Sequence, residues 1–299
     1  MGNSLMIGII IKALSSFYYV EAEDKIFECK ARGNFRKSGF SPLVGDRVEV
    51  EALDDSCGVI NRILERKNSL KRPNAANIDK LFIVSSYSTP APNTYIIDKM
   101  TAIARYNNIE PIIVFNKSDM GDFSDFVRIY KNAGFKTYVV SAHNGNGMQD
   151  IMLELKDCVS VFTGNSGVGK SSILNYLFGD NFIATGNVSE KLGRGRHTTR
   201  HIEAYKLDFG GYVVDTPGFS SIEHDNNDYG FKESLAECFY DFGDRIYQCK
   251  FTSCTHTKEN GCQVLEAVKN GEVEPTRHES YIKIFDELKD LKPWEAQKR

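Results

Sequence analysis

The residues best suited to chemistry form a glycine-rich stretch that ends in lysine and serine. It reads Gly164-Asn165-Ser166-Gly167-Val168-Gly169-Lys170-Ser171 and fits the pattern G-x-x-x-x-G-K-[ST]. In such a loop backbone N–H groups converge on phosphate oxygens, the lysine charge meets the β- and γ-phosphates, and the serine hydroxyl coordinates Mg²⁺. A strand-like run precedes the loop and a helical pattern follows it. This context predicts a nucleoside triphosphate site that extends to Ser172, rather than a chance glycine-rich turn.

A second set of residues predicts which base is bound. Asn116-Lys117-Ser118-Asp119 follows the strand-like Pro111–Phe115. The carboxylate of Asp119 can accept both N1–H and N2–H₂ of guanine, a donor pair that adenine lacks. Asn116 is expected to tie this loop to its neighbours, and the Lys117 stem to cover the base. Alone, these four residues would also suit a polar loop at the end of a strand.

Ser141 and Ala142 end a later strand-like run in a turn of small residues. Backbone N–H groups in such a turn could reach guanine O6. Because it accompanies the first base motif, this turn strengthens the prediction of a guanine nucleotide.

The hydrolytic part of the site is predicted from two segments. Asp215-Thr216-Pro217-Gly218 follows the strand-like Gly211–Val214. Asp215 would reach Mg²⁺ through water and the Gly218 N–H would contact the γ-phosphate, although Pro-Gly also suits an ordinary β-turn. The basic, glycine-rich segment Gly193–Arg200 offers two threonines, and we assign the magnesium contact of the GTP state to Thr199 rather than Thr198.

The residue after Gly218 is Phe219, where small GTPases commonly carry a water-orienting glutamine. A phenylalanine cannot polarise water, so another group must do so. His197 is the nearest candidate, able to orient or deprotonate the attacking water. The alternative is a surface histidine that faces phosphate or RNA. Slow intrinsic turnover and an external activator are expected in either case.

A cysteine cluster predicts a metal centre. Cys249, Cys254, His256 and Cys262 offer three sulfurs and one imidazole, a closed Cys₃His set with no open position for catalysis. We therefore predict one structural zinc ion. Seven cysteines, an odd number, favour metal binding over disulfides in a chain expected to be cytoplasmic. The alternative is three reduced cysteines beside a surface histidine.

The elements that must position these residues suggest a multidomain α/β protein. Residues 1–72 carry short strand-like runs between turn signals, typical of a small closed barrel such as an OB-fold, or of another small β-domain. Residues 73–222 alternate apolar strand-like runs with amphipathic stretches, which predicts a doubly wound P-loop domain. Residues 223–299 hold the cysteine cluster and two helical patterns, Gln263–Asn270 and Arg277–Leu291, so an α-helical zinc domain is expected.

Bulk composition narrows the function classes. The 299 residues carry a formal net charge of −3, so an RNA partner would have to meet local basic patches such as Arg32, Arg36 and Lys37 in the barrel region. No run of about 18 apolar residues occurs, and the start of the chain does not resemble a signal peptide. We expect a cytoplasmic monomer with no membrane partner.

The order of the motifs differs from that of an ordinary GTPase, in which the P-loop comes first, the switches follow and the base motifs come last. The base motifs precede the P-loop, and the magnesium motif comes last. Joining the usual ends of a GTPase domain and opening it after the second switch gives this order. Together with the N-terminal β-domain and the cysteine cluster, the chain closely resembles the bacterial ribosome small-subunit-dependent GTPase A family. The resemblance is carried by Arg72–Asp79, Asn116–Asp119, Gly164–Ser172, Gly195–Thr199, Asp215–Phe219 and Cys249–Cys262.

The resemblance implies an OB-fold, a circularly permuted GTPase domain and a zinc domain. It also implies binding to the 30S ribosomal subunit and its rRNA during late maturation, with GTP hydrolysis to GDP stimulated by that particle. The family's proposed catalytic histidine matches His197 by position. One departure is the segment 250–253, which is less basic than expected of a loop that faces RNA.

Two other functions remain open from the residues alone. The first is a nucleotide-gated RNA-binding module in which hydrolysis is incidental. The second is a P-loop kinase, against which the guanine motif at 116–119 argues. The expected cofactors are one structural zinc ion and Mg²⁺ bound with GTP or GDP.

Overall fold

The structure is a computed structural model that describes residues 5–14, 16–32, 35, 41–71, 74–87, 91–179, 202–215 and 229–291. The chain forms two compact units, each built from separated stretches. The first unit comprises Met1–Leu81, Gln149–Thr163 and Lys170–Ser220. The second comprises Phe82–Met148, Gly164–Gly169 and Ser221–Arg299.

The first unit contains the predicted barrel. Its strands are β1 (Leu5–Leu14), β2 (Phe17–Ala22), β3 (Lys25–Ala31), β4 (Arg47–Ala52) and β5 (Cys57–Ile63). The strands pair in the order β1-β2-β3-β5-β4, and β4 also pairs with β1, which closes the barrel. Among these neighbours only β3 and β5 run parallel, and the others run antiparallel. Alternate residues such as Ile10, Val20 and Val50 point inward and form the core.

Local sequence explains the tight turn between the second and third strands of the barrel. Glu23 and Asp24, between β2 and β3, have φ values of 50° and 60°. Positive φ at both central residues is the geometry of the tight turn whose twist matches a β-hairpin, and aspartate tolerates it better than most residues. The register Ala22↔Lys25 continues directly from this turn.

A connecting segment follows the barrel. It contains β6 (Ser69–Lys71) and β7 (Asn74–Ala76), which pair antiparallel. Asn77 donates through Nδ2 to the Gly45 carbonyl of the barrel (3.0 Å) and accepts the Lys67 N–H (2.9 Å). Two residues later, the Asp79 N–H donates to the Val159 carbonyl (2.8 Å), and its Oδ2 accepts the Val159 N–H (2.9 Å). Hydrogen bonds from the Asn77 and Asp79 side chains and the Asp79 backbone therefore connect this segment to the barrel on one side and to the strand that begins at Val159 on the other.

The first unit also holds part of the predicted P-loop domain. This part contains β11 (Val159–Thr163), α4 (Lys170–Phe178), β12 (Glu203–Lys206) and β13 (Tyr212–Asp215). Strand β11 runs parallel to β13, and β12 runs antiparallel to both β13 and β1. The pair Lys12↔Glu203 joins β1 to β12, and the two side chains form an ion pair (2.9 Å).

The second unit begins with a parallel βαβ arrangement. It contains most of β8 (Lys80–Ser86), then α1 (Thr94–Tyr106), β9 (Glu110–Asn116), α2 (Ser124–Asn132) and β10 (Lys136–Val139). Helix α3 (Met148–Leu155) follows along the chain, and all of it except Met148 belongs to the first unit. The strand order is β10-β9-β8, with β9 and β10 parallel. Nearly every residue of β8 and β9 is buried. Burial on both faces explains why these runs are apolar without alternation.

The C-terminal part of the second unit, described over residues 229–291, consists of helices joined by turns and loops. It contains α5 (Tyr229–Ser234), a 3₁₀ helix (Tyr240–Tyr247), α6 (Gln263–Lys269) and α7 (Pro275–Leu288). The predicted architecture, a small β-barrel, an α/β domain and a C-terminal region of helices that carries the cysteine cluster, is confirmed. None of the helices that the structure describes has both the length and the apolar character needed to cross a bilayer.

Helix α7 lies against α1. The guanidinium of Arg277, 1% exposed, donates to Asp98 of α1 (Nη1 to Oδ1, 2.7 Å) and to Asp241 of the 3₁₀ helix (Nη2 to Oδ1, 2.7 Å). The rings of Phe239 and Phe135 flank it at 4.7 and 5.1 Å. This buried ion cluster joins three helices of the second unit.

Candidate functional site

Asn116 connects three predicted segments: the base-reading loop (Asn116–Asp119), the base-reading turn (Ser141 and Ala142) and the phosphate loop (Gly164–Ser171). This residue ends β9, is 1% exposed, and is followed by Lys117 in the left-handed region (φ 66°). Asn116 Nδ2 donates to the Val168 carbonyl of the phosphate loop (3.1 Å), and its Oδ1 accepts the Ala142 N–H (3.1 Å). One side chain thus holds three predicted segments together, as the sequence predicts.

Lys117 adds a second tie. Its Nζ donates to the Gly167 carbonyl (2.7 Å). The aliphatic stem is therefore stretched between the two loops, where it can cover a base. The neighbouring Ser118 N–H donates to the Val140 carbonyl (3.0 Å) and fixes the start of the loop.

The Asp119 carboxylate is exposed and positioned from one side. Ser141 Oγ donates to its Oδ1 at 2.5 Å. This hydrogen bond lowers the pKa of Asp119 below its usual value, so the carboxylate remains ionised and able to accept hydrogen bonds. The hydroxyl role of Ser141 is missed by sequence reasoning, which considers only the backbone of this turn.

The backbone N–H groups of the same turn already have partners. Ser141 N–H donates to the Asn146 carbonyl (2.9 Å) and Ala142 N–H to Asn116. Contact of these groups with guanine O6 stays a prediction.

The glycines of the phosphate loop are required by close packing. A Cβ on Gly164 would lie 2.1 Å from the Val84 carbonyl oxygen, and one on Gly169 would lie 2.2 Å from Asn116 Nδ2. Both have positive φ, 141° and 94°. Lys170 follows Gly169 directly and begins α4, and burial lowers the pKa of its ammonium group.

The remaining predicted nucleotide residues divide into two groups. In the phosphate loop and the first turn of α4, Asn165 is half-buried, whereas Ser166, Ser171 and Ser172 are exposed. Asp215 ends β13 opposite Glu203. His197, Thr199 and Gly218 lie outside the described residues. The structure therefore brings Asn116 and Lys117 together with Ala142 and with the phosphate-loop residues 167 and 168, while the roles of all these residues in binding nucleotide, magnesium and water stay predictions.

We expect Ser141→Ala to weaken GDP binding by roughly tenfold, because a hydrogen bond to a charged group contributes about 1.5 kcal/mol or more. Isothermal titration calorimetry with GDP measures the change. Ser124→Ala is the matched control, since Ser124 Oγ donates to Asp122 over the same distance, 2.5 Å, outside the base-reading loop. Unchanged GDP affinity in Ser141→Ala would show that the hydroxyl does not position the carboxylate.

The metal-binding residues predicted from the sequence come together in space. The ligand atoms of Cys249, Cys254, His256 and Cys262 all lie within 4.8 Å of one another. Cys249 Sγ is 3.4 Å from His256 Nδ1 and 3.9 Å from Cys262 Sγ. Bonds of about 2.3 Å from a tetrahedral zinc ion to sulfur place ligand atoms about 3.8 Å apart. The donor set and its spacing therefore fit zinc.

The segment that carries the four predicted ligands, Cys249–Cys262, is called the metal loop, and a carboxylate within it accepts hydrogen bonds from its backbone. Glu259 accepts the N–H groups of Thr255 (2.9 Å), Thr257 (3.0 Å) and Lys258 (3.1 Å). Burial alone would raise the pKa of Glu259, but the hydrogen bonds from Thr255 and Lys258 lower it to about 2. The loop is thus folded around an ionised side chain that is not one of the metal ligands.

Comparisons with known proteins agree with this arrangement. The family profile of the RsgA GTPase matches residues 63–225, and that of the RsgA N-terminal domain matches residues 7–60. A "Small ribosomal subunit biogenesis GTPase RsgA" from Caldanaerobacter subterraneus subsp. tengcongensis is 44% identical over 286 residues, covering 95% of this chain and 96% of that protein. One of the same description from Geobacillus sp. is 42% identical over 292 residues, covering 96% and 98%.

Two solved structures share the fold. YjeQ from Thermotoga maritima superimposes with a TM-score of 0.80 at 36% identity, covering 97% of this chain and 100% of that one. YloQ, described as a circularly permuted GTPase, gives a TM-score of 0.81 at 36% identity and covers 97% of both chains.

Proposed function

The chain belongs to the RsgA family of GTPases, and from that premise we propose that it binds the small ribosomal subunit and assists its late maturation. In this proposal the chain, a GTP hydrolase, converts GTP to GDP and phosphate when the subunit stimulates it. The carrying observation is the interlock of the base-reading and phosphate loops through Asn116 (Nδ2 to Val168 O, 3.1 Å). Relatives at least 40% identical, each covering 95% or more of this chain, are described as small ribosomal subunit biogenesis GTPases.

The proposed site residues follow from the interlocked loops. Guanine is read by Asp119, with Lys117 over the base and with Asn116, Ser118, Ser141 and Ala142 shaping the loop. Residues 164–172 bind the phosphates, with Lys170 as the cation. Ser171 and Thr199 would hold Mg²⁺ directly and Asp215 would hold it through water, the Gly218 N–H would contact the γ-phosphate, and His197 would orient the attacking water.

The proposed zinc ion is structural. Four protein ligands fill a tetrahedral shell, so no position remains for substrate or water. When bound, zinc supplies bonds that hold together a loop too short to form its own core. The proposed domain limits are 1–72 for the OB-fold barrel, 73–222 for the permuted GTPase domain and 223–299 for the zinc domain.

Contact with rRNA is proposed for local basic surfaces, since the chain as a whole is acidic. In the barrel, Arg32 is exposed and paired with Glu51 (3.2 Å), a surface pair weak enough for phosphate to replace. A partner of this kind places the protein in the cytoplasm, and a monomer suffices for every proposed contact.

The test is GTP hydrolysis with and without small ribosomal subunits, for the wild type and for His197→Ala. We expect the subunit to raise the wild-type rate strongly. His197→Ala should lower the stimulated rate by at least about an order of magnitude, because general acid–base or water-positioning groups contribute that much or more. Its affinity for GDP should be unchanged.

Absence of stimulation, together with nucleotide-dependent binding to the subunit, would favour an RNA-binding module in which hydrolysis is incidental. Competition by ATP for bound GDP would instead favour the kinase alternative and contradict the proposal.

A further inference from the structure

The metal loop contains a backbone conformation that needs outside support. His256, one of the four predicted ligands, has φ of 58°, in the left-handed region that residues with a side chain rarely adopt. It is 5% exposed, and its Nδ1 faces the sulfurs of Cys249 and Cys262 at 3.4 and 3.6 Å. The orientation of this imidazole therefore depends on the contacts that hold the backbone peptide groups of Thr255 and His256 in this conformation.

Two side chains of α7 fix those peptide groups. His278 Nε2–H donates to the carbonyl of His256 (2.7 Å), and Tyr281 O–H donates to the carbonyl of Thr255 (2.8 Å). Both donors are buried, 6% and 2% exposed. Loss of a hydrogen bond from a buried donor leaves that donor unsatisfied and costs free energy, so these two bonds favour this loop conformation.

The two donors are themselves held in place. The ring of Tyr281 packs edge-on against Phe239 and Phe242, with centroids 5.3 and 5.0 Å away, and stacks on His278 at 6.2 Å. The residue before His278 is Arg277, whose guanidinium bonds to Asp98 and Asp241. Both hydrogen-bond donors thus lie on a helix anchored by aromatic packing and ion pairs that involve no metal ligand.

We propose that His278 and Tyr281 are positioning residues for the zinc site, and that α7 sets the direction of the His256 imidazole by holding the two carbonyls beside it. The inference rests on the proposed zinc site. Outer hydrogen-bond partners of zinc ligands typically contribute 10- to 100-fold to metal affinity. Here the partners act on the backbone of the ligand rather than on its ring.

The test measures Zn²⁺ affinity of the full-length chain by competition with a chromophoric chelator, and the visible absorption of the Co²⁺-substituted protein. Tyr281→Phe keeps the buried ring and removes only the hydroxyl, so it tests the hydrogen bond without loss of packing. We expect about tenfold weaker Zn²⁺ binding for Tyr281→Phe, and 10- to 100-fold for His278→Ala. The absorption bands of tetrahedral Co²⁺ should shift in both. His278→Gln, which restores an N–H donor, should recover part of the affinity.

Tyr95→Phe is the matched control. Tyr95 O–H donates to Glu287, so this variant removes a hydroxyl bonded to the same helix but distant in sequence from the metal loop. It should bind Zn²⁺ as the wild type does. Tyr281→Phe and His278→Ala with wild-type affinity and unshifted Co²⁺ bands would overturn the positioning role while leaving the zinc site intact. Failure of the wild type to bind Zn²⁺ would overturn the zinc site itself.

Discussion

Replacing Asp119 with asparagine is expected to change the base preference of the nucleotide site from guanine to xanthine. The carboxylate offers two acceptors to the N1–H and N2–H₂ donors of guanine, whereas an amide offers one acceptor and one donor. Ser141 Oγ donates to Oδ1, so the amide oxygen keeps that position and the NH₂ group takes the other. Xanthine has a carbonyl oxygen at C2, which can accept a hydrogen bond from the amide NH₂ group. Guanine has an amino group at C2, which is also a donor and therefore cannot pair with the amide NH₂ group.

The expected loss of GDP affinity is roughly 10⁴-fold, the range seen where a site built for a hydrogen bond meets a ligand that cannot make it. Calorimetric titration of GDP and XDP measures it, with XDP binding gained. Asp122→Asn is the matched control, because Asp122 bonds to Ser124 and not to the base-reading turn. If Asp119→Asn keeps GDP affinity within tenfold of the wild type, Asp119 does not read the base.

Arg277→Met is expected to destabilise the second unit by about 3–5 kcal/mol, because it leaves two carboxylates buried without their cation. Asp98 and Asp241 are 0% and 3% exposed as side chains. Burial alone would lower the pKa of Arg277, but the two neighbouring carboxylates raise it, so the guanidinium remains charged. Methionine has a similar length and fills most of the space, which isolates the electrostatic loss from the packing loss.

Urea unfolding of the full-length chain, followed by far-ultraviolet circular dichroism, measures the loss. Arg128→Met is the control, since Arg128 pairs with Glu274 while its own side chain is 54% exposed. An exposed pair contributes at most about 1 kcal/mol. Equal destabilisation by the two substitutions would show that the buried cluster has no special weight in stability.

The sequence suffices to name candidate nucleotide and metal residues because each motif is nearly continuous along the chain. The glycines of the phosphate loop, the 116–119 motif and the cysteine spacing are short-range patterns. The same patterns and the strand-like runs suffice to predict the barrel, the permuted GTPase domain and the helical C-terminal region. The limits of the three domains and the roles of the site residues, His197 and Thr199 included, stay predictions.

Contacts between residues far apart in sequence cannot be predicted from short-range sequence patterns. Strand β5, with Gly58, Asn61 and Arg62 in it, has no clear alternation of apolar residues, and its pairing with both β3 and β4 makes it a strand. The ion pair of Arg277 with Asp98 joins positions 179 residues apart. No local propensity specifies such contacts, because they depend on how helices and strands pack.

The ends of helix α7 are predicted less accurately than its existence. The helical pattern is predicted over Arg277–Leu291, and the helix runs from Pro275 to Leu288. Proline is favoured at the first helical position, where its missing N–H costs nothing, so the earlier start has a local cause.

The backbone pairing of β1 with β12 has a consequence for cutting the chain. Strand β12 lies between β13 and β1, and its Lys206 and the neighbouring Tyr212 both bond to Glu21 of the barrel. An N-terminal truncation that removed the barrel would therefore bare a sheet edge and leave these polar groups without Glu21. Exposed edges of this kind recruit further strands from other molecules. We therefore expect the GTPase domain without the barrel to self-associate more readily than the intact chain.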